Sequence, residues 1–235
     1  MADAPVIAIT GASRGAGRGL AQYFADKGWR VHGASRTASD LVAENYAHTC
    51  ADLSDETQTR SWLRGVRQAS GRIDVLLCNA GVVKSSLLTP MLPTDLFTEF
   101  YESSFKTTFL ACREASKLML PQRAGRIITI GSTMTIVHEP GTAAYSANKA
   151  AIVEFTKVLA RELAAHNITC NTIAPSLMNT PSSEAMGEEW RGRMLAMQTI
   201  RRPVEIAEIG GIVEFLASPQ AACLTGQVLS TCFVS

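Results

Sequence analysis

The sequence predicts a doubly wound α/β domain: a parallel sheet of about seven strands with helices on both faces. Three observations lead there. Short apolar runs alternate with longer stretches of helical periodicity along the 235-residue chain, the pattern of repeated βαβ units. The apolar runs are continuous rather than alternating, as strands covered on both faces must be. A glycine-rich turn separates the first run from the first helical stretch, where such sheets meet nucleotides.

The totals agree. Hydrophobic residues make up 46% of the chain and charged residues 18%, enough for a sizeable core. No linker, repeat or low-complexity tract divides residues 1–235, so a single domain is expected. A net charge of +1 gives no electrostatic case for nucleic acid or an acidic membrane. The six cysteines, at 50, 78, 112, 170, 223 and 232, have no metal-ligand spacing, and no metal is expected. They read as buried free thiols of a reducing cytosol. The N-terminus MADAPVIAIT lacks a basic n-region and a long apolar core, and no run approaches the ~20 residues of a membrane span. A cytoplasmic protein is expected.

The first strand is predicted at 5–10 (PVIAIT), followed by a helix at 16–27. In the turn between them, Gly11, Gly15 and Gly17 give the spacing GxxxGxG. Glycine permits the tight turn and lets backbone N–H groups approach a pyrophosphate at the helix start. Strand two is predicted at 30–35 (RVHGAS). Its end faces the adenosine ribose, where an NAD site wants a carboxylate for the 2′-hydroxyl. Here Ser35 is followed by Arg36, Arg14 stands in the glycine turn, and no acid is present. Two guanidiniums suit a 2′-phosphate, which favours NADP over NAD. The alternative, that both are ordinary surface cations, stays open.

Residues 36–46 are too few for much of a helix before strand three at 46–51. There follow a helix at 55–69, strand four at 73–78, a long helix at 95–120, strand five at 125–131 and a helix at 143–166. Strand six at 168–174, a helix at 203–217 and a last strand at 226–234 complete the pattern. The segment 176–200 breaks the rhythm with Pro181, Gly187 and Gly192, yet carries Trp190, Met194, Leu195 and Met197. It reads as an insertion near the sheet edge and a candidate substrate cover.

The chemistry centres on AAYSANKAA (143–151). Tyr145 and Lys149 lie one helical turn apart on the same face. A phenol with pKa ~10 is a poor proton shuttle near neutrality. A neighbouring ammonium favours the phenolate and is expected to bring that pKa down. Tyr145 then serves as general acid in carbonyl reduction and general base in oxidation. Ser132, at the end of strand five, can hydrogen-bond the substrate oxygen where charge builds up. The Tyr/Lys pair alone reads as a surface contact on a helix. Joined to Ser132 and the glycine turn, it reads as a reacting site.

The motifs TGASRGAG (10–17), ADL (51–53), CNAG (78–81), GRIITIGS (125–132), YSANK (145–149), IAPSLMNT (173–180) and LTGQVL (224–229) occur in one order. In this the chain resembles the classical short-chain dehydrogenase/reductases over nearly its whole length. Residues 123–180 are most similar to bacterial 3-oxoacyl-[acyl-carrier-protein] reductases. The resemblance implies a Rossmann fold, an NADP(H) cofactor, and Ser132, Tyr145 and Lys149 as catalytic residues, with Lys149 also toward the nicotinamide ribose. It implies a cofactor site built from Gly11, Ser13, Arg14, Gly15, Ala16, Gly17 and Arg36. Asp52 and Leu53 would meet the adenine. Asn79, Ala80 and Gly81 would line the turn after strand four, and Pro175 and Thr180 would lie at the nicotinamide.

Several positions depart from the family pattern. Ser104 stands where the family places an asparagine that anchors a proton-relay water. Pro175-Ser176 replaces Pro-Gly, and Cys78 stands where asparagine is common. The C-terminus LSTCFVS lacks the usual Asp-Gly-Gly ending. The resemblance also implies a homodimer or homotetramer, built on the 95–120 and 143–166 helices. Phe97, Phe105, Phe109, Phe155 and Leu159 would face that contact or the core. Ser39, Asn148, His32 and His48 read as structural.

For the substrate, residues 133–144 and 176–200 are expected to line a pocket with Met134, Ile136, Leu177, Met178 and Met186. His138 and Glu139 would be its polar points. An apolar pocket accepts an acyl chain or a hydrophobic ketone. Arg123 matches a carrier-docking position of the acyl-carrier-protein reductases, while His166 replaces the second arginine. Three readings follow: an NADPH-dependent reductase of a carrier-bound 3-oxoacyl thioester; a dehydrogenase/reductase of a free alcohol, sugar or ketone; or a non-catalytic cofactor-binding partner in a hetero-oligomer.

Overall fold

Continuous apolar runs become strands buried from both sides. In the computed structural model, which describes residues 4–82 and 87–234, the first of these is β1 (Val6–Thr10), buried along its whole length. Residues 1–3 of the N-terminal stretch and residue 235 of the C-terminal one lie outside the described residues. After β1 come α1 (Gly15–Asp26), β2 (Arg30–Ser35), β3 (Tyr46–Cys50), α2 (Glu56–Ser70) and β4 (Val75–Cys78). Then come α3 (Thr94–Phe100), α4 (Thr107–Met119), β5 (Gly125–Ile130), α5 (Met134–Val137), α6 (Ala143–Leu163) and β6 (Ile168–Ala174). The chain closes with α7 (Pro181–Glu184), α8 (Glu188–Met197), α9 (Ile206–Ala217) and β7 (Val228–Ser230). Strand and helix alternate as the periodicity predicts.

The strands form one parallel sheet in the order β3-β2-β1-β4-β5-β6-β7. Side chains alternate across a strand, so each one feeds two cores. Val6, Ala8, Leu76 and Ile127 pack with Trp62 and Leu63 of α2, Ala115 of α4 and Leu163 of α6. Ile7, Ile9, Leu77 and Ile128 pack with Leu20 and Phe24 of α1 and Val213 of α9 on the other face. The chain leaves the centre in opposite directions after β1 and β4. The crevice beyond their carboxyl ends is therefore where a ligand fits in such a sheet.

Two elements differ from the expectation. The helix expected at 95–120 is α3 and α4 joined by a π-helical turn, Tyr101–Lys106. Hydroxyls widen it: Ser103 Oγ donates to the Glu99 carbonyl at 2.6 Å and Thr107 Oγ1 to the Glu102 carbonyl, five residues back, at 2.9 Å. Such side-chain bonds compete with the regular ladder, and π turns gather at functional sites. The last strand is only three residues long, against the nine expected. Cys232 takes φ 59°, which ends the extended run. Residues 36–45 hold no helix, as their length predicts.

The aromatic residues of α3 to α6 separate. Leu159 is buried in the core, whereas Phe97 and Phe109 are exposed. Phe105 and Phe109 both pack edge-on against Phe155, at 6.0 and 5.8 Å between ring centres. Cys78, Cys112 and Cys170 are buried free thiols, but Cys50 and Cys223 are exposed, because β3 is an edge strand and Cys223 sits in the loop before β7.

Candidate active site

The glycine turn is fixed by close backbone approach. A Cβ on Gly17 would lie 2.1 Å from the Gly11 carbonyl oxygen and 2.4 Å from Asn79 Nδ2. One on Gly11 would lie 2.9 Å from Ala80 Cα, and Gly11 also takes φ +72°. Real side chains cannot occupy such space. Gly15 (φ +56°) is different: nothing stands within 4 Å of its Cβ position, so its face is open. The turn is tied to its neighbours. Gly11 N donates to the Ala34 carbonyl at 2.7 Å, Asn79 Nδ2 to the Thr10 carbonyl at 3.1 Å, and Ala80 N to Thr10 Oγ1 at 2.9 Å. Thus Asn79 and Ala80 are brought against Gly11 and Gly17, and Gly81 lies toward Lys149 and Ser104.

No side chain caps the start of α1, where Arg14 is extended (φ −155°) and Ser13 and Ala16 flank it. The first N–H groups of α1 and the helix dipole therefore face the crevice, a setting for an anion. Arg14 and Arg36 are both exposed, and neither makes an ion pair among the described residues. Asp40, in the loop after β2, is paired with Arg18, which holds its carboxyl below the ordinary carboxylate range. Arg36 lies within electrostatic reach of Asp52, and Arg14 has no ion pair among the described residues. Asp52 accepts from Ser54 N at 2.9 Å and Ser54 Oγ at 2.7 Å, just beyond β3, and Leu53 is buried beside it.

Around this end the structure adds residues whose role sequence reading missed. Ser13 Oγ lies 3.0 Å from Thr37 Oγ1, joining the glycine turn to the loop after β2. His48, taken as structural, contacts Ser35 Oγ and the Thr37 carbonyl through Nε2, both at 3.0 Å, and Tyr46 Oη through Nδ1 at 2.7 Å. Gly33 makes room, since its Cβ would lie 2.7 Å from Tyr46 Oη. A glycine inside a strand was the available signal. His32 is structural as expected, with Nε2 2.7 Å from Ser70 Oγ.

On the other side of the crevice, β5 delivers Ser132 and α6 delivers Tyr145 and Lys149. Ser132 is buried, and Met134 N donates to its Oγ at 3.2 Å. The Tyr145 ring packs edge-on against Phe100, 6.3 Å between centres. Burial pushes the Tyr145 phenol up, and a hydrogen bond with Ser132 opposes that push. The expectation that Lys149 brings the phenol down is not met. The Lys149 ammonium lies 5.8 Å from the ring centre and donates instead to the Ile130 carbonyl at 2.7 Å. Burial pulls Lys149 itself down to about 8. Desolvation outweighs attraction for both groups.

Ser104 sits in the π turn, 3% exposed, and its Oγ has no hydrogen-bond partner among the described residues. A Cβ on Gly81 would lie 3.6 Å from both Ser104 Oγ and Lys149 Nζ, so the two groups border the same small space. Pro175 and Ser176 are held from both sides. The Pro175 carbonyl accepts from Thr133 N at 3.1 Å, and Ser176 N donates to Thr231 Oγ1 at 2.9 Å. Thr180 caps α7, its Oγ1 accepting from Ser183 N at 3.3 Å.

The substrate side differs most from expectation. A cleft of about 460 Å³ opens at the start of α6, lined by residues 88–90, 138–143 and Ser146 but not by Ser132, Tyr145 or Lys149. His138 and Glu139 line it, but Met134, Ile136, Leu177, Met178 and Met186 do not. Leu177 and Met178 turn away because their backbone is bridged to Val204 before α9, with Val204 N donating to the Leu177 carbonyl at 2.8 Å. Met178 packs into the core around α1 and α9. The segment 176–200 reaches the cleft by an ion pair, Arg193 to Glu139, at 3.7 Å.

The crevice thus combines an anion-receptive turn with a Ser/Tyr/Lys set, and known proteins share its frame. A family profile described as enoyl-(acyl carrier protein) reductase matches residues 11–231. The 3-oxoacyl-[acyl-carrier-protein] reductase FabG of Vibrio cholerae is 32% identical over 97% of this chain and 95% of its own length. The enzyme of that name from Escherichia coli is 33% identical over the same shares. A solved structure, a tryptophan variant of actinorhodin polyketide ketoreductase with NADPH, superposes with a TM-score of 0.89 at 28% identity, over 98% of this chain and 96% of the other. The chain belongs to the short-chain dehydrogenase/reductase family.

Proposed function

We propose that this protein is an NADPH-dependent reductase of 3-oxoacyl thioesters carried on an acyl carrier protein, working in the cytoplasm as a homo-oligomer. The observation that carries the reading is the crevice: Ser132, Tyr145 and Lys149 on one wall, and on the other a turn that excludes side chains at Gly11 and Gly17. The residues fit a dinucleotide. The uncapped start of α1 and the open face of Gly15 suit a pyrophosphate, and Arg14 and Arg36 suit a 2′-phosphate. Bound NADPH supplies the hydride.

The rest of the chemistry belongs to the chain's own groups. Tyr145, its phenol kept protonated by burial, gives its proton to the oxygen of the reduced carbonyl. Ser132 donates a hydrogen bond to that oxygen as negative charge develops there. Lys149 remains ammonium below about pH 8 and favours the phenolate left behind. Ser104, without a partner among the described residues and beside Gly81 and Lys149, holds one end of a water that returns a proton. The relatives' names favour a carrier-bound substrate. The cleft, with threonine, proline and alanine beside His138 and Glu139, accepts a short acyl chain.

The test follows NADPH absorbance with acetoacetyl and crotonyl thioesters, free and carrier-bound, against a panel of free ketones, with NADH as control. NADPH loss with the carrier-bound 3-oxo substrate supports the reading. Turnover of crotonyl thioester alone would make it an enoyl reductase, as the family profile's description reads. Turnover of free ketones alone would give the free-ketone reading. Binding of NADPH with no turnover would point to a partner subunit.

A further inference from the structure

We propose that His48 is a positioning residue for the cofactor's 2′-phosphate, setting the loop after β2 so that it prefers a phosphorylated adenosine ribose. The inference rests on the NADPH reading of Arg14 and Arg36.

The geometry is a chain of hydrogen bonds. His48 Nε2 lies 3.0 Å from the Thr37 carbonyl and 3.0 Å from Ser35 Oγ, and Ser35 Oγ itself donates to the Thr37 carbonyl at 3.0 Å. A consistent assignment puts the proton on Nε2, shared between two acceptors. Nδ1 then accepts from Tyr46 Oη at 2.7 Å. Burial pushes the Tyr46 phenol up, which keeps it protonated as a donor. With its proton on His48 Nδ1, Tyr46 Oη stands 3.4 Å from the Ala12 carbonyl of the glycine turn, a contact without its own proton. One imidazole thus connects the edge strand with the end of β2 and the loop after it.

Its consequence falls on one peptide bond. Two donors turn the Thr37 carbonyl toward β3. In a trans peptide the next N–H points the opposite way. That N–H belongs to Ala38, and it donates to nothing among the described residues. It stands beside Arg36, while Ser13 and Thr37 hold the loop to the glycine turn. A guanidinium and a free N–H on neighbouring loop residues recognise a phosphate monoester; an unphosphorylated ribose gives them nothing equivalent. Of the nearby carboxylates, Asp40 is kept on Arg18 and Asp52 accepts from Ser54 N and Oγ.

The experiment is calorimetric titration with 2′,5′-ADP and 5′-AMP, which differ only in the 2′-phosphate. Wild type is expected to prefer 2′,5′-ADP. His48→Ala is expected to weaken 2′,5′-ADP about tenfold, as for one lost charge-assisted hydrogen bond. Its affinity for 5′-AMP stays within about twofold. His48→Gln, whose amide can still donate to the Thr37 carbonyl, keeps most of the preference. An unchanged preference in His48→Ala, an equal loss for both nucleotides, or an equal loss in the Gln variant overturns the inference. Should His48→Ala fail to fold, Tyr46→Phe is read instead: a preference lowered at least about threefold supports the inference, and an unchanged one overturns it. No preference in wild type overturns the NADPH reading and this inference together.

Discussion

At Gly17 a side chain would meet the Gly11 carbonyl at 2.1 Å, while across the crevice Arg193, half exposed, reaches Glu139 at 3.7 Å. The first position is hemmed in by the backbone of its own turn. The second is held by two long side chains in contact with water. The nucleotide end of the sheet is thus built by exclusion, and the substrate end by reach. Exclusion by backbone is steep: the atoms cannot give way. Attraction between exposed charges is shallow and screened. The nucleotide end should therefore fail abruptly when altered, and the substrate end should bend.

The largest effect is expected at the reacting groups that join the two ends. Tyr145→Phe removes the proposed proton donor and should lower kcat by roughly a thousandfold, with NADPH affinity held within about twofold, as single-turnover kinetics and titration would read. Retained activity would sink the acid/base assignment. Next, Gly17→Ala should destabilise by about 1–3 kcal/mol and weaken NADPH, because the methyl must displace either the Gly11 carbonyl or Asn79. A melting curve matching wild type would show that the turn is softer than its packing implies.

The pH profile comes third. Burial lowers Lys149 to about 8, so its charge is present below that pH and is lost above it. Reductive kcat/KM should fall as pH rises through 8, by about tenfold per unit at the limit. A flat profile to about pH 9 would remove Lys149 as the titrating group. Ser104→Ala should lower kcat about threefold while leaving or raising the melting temperature, since it removes a buried hydroxyl that has no partner among the described residues. The smallest effect is expected at the substrate end. Arg193→Ala should change KM for the acyl thioester by no more than about twofold and leave the melting temperature in place. A large KM change there would make the cover segment as exacting as the glycine turn.

The same contrast explains what could be read in advance. Gly11, Gly17 and Tyr145–Lys149 were legible because each has a local signature: a spacing in a turn, or two side chains one helical turn apart; Asn79 was expected only from the family resemblance. His48 carried none. Its partners Ser35, Thr37 and Tyr46 belong to two strands and a loop that meet only in the sheet, and only Gly33 hinted at the close approach. Leu177 and Met178 misled for the opposite reason. Apolar residues in a presumed cover suit a pocket or a core equally well, and the bridge to Val204 turned them inward. Thr231 shows the same: the unusual C-terminal stretch supports Ser176 from a distance of 55 positions.

By itself the sequence determined the βαβ alternation, the parallel sheet, the glycine turn and the set of Ser132, Tyr145 and Lys149. These rest on periodicity and on short-range spacing, which act within a few residues. Only the tertiary structure decided where charges and hydroxyls ended up: Lys149 on the Ile130 carbonyl, the phenol raised rather than lowered, and Ser104 left without a partner among the described residues. Desolvation and long-range hydrogen bonds depend on which elements pack together, and no local stretch of chain encodes that.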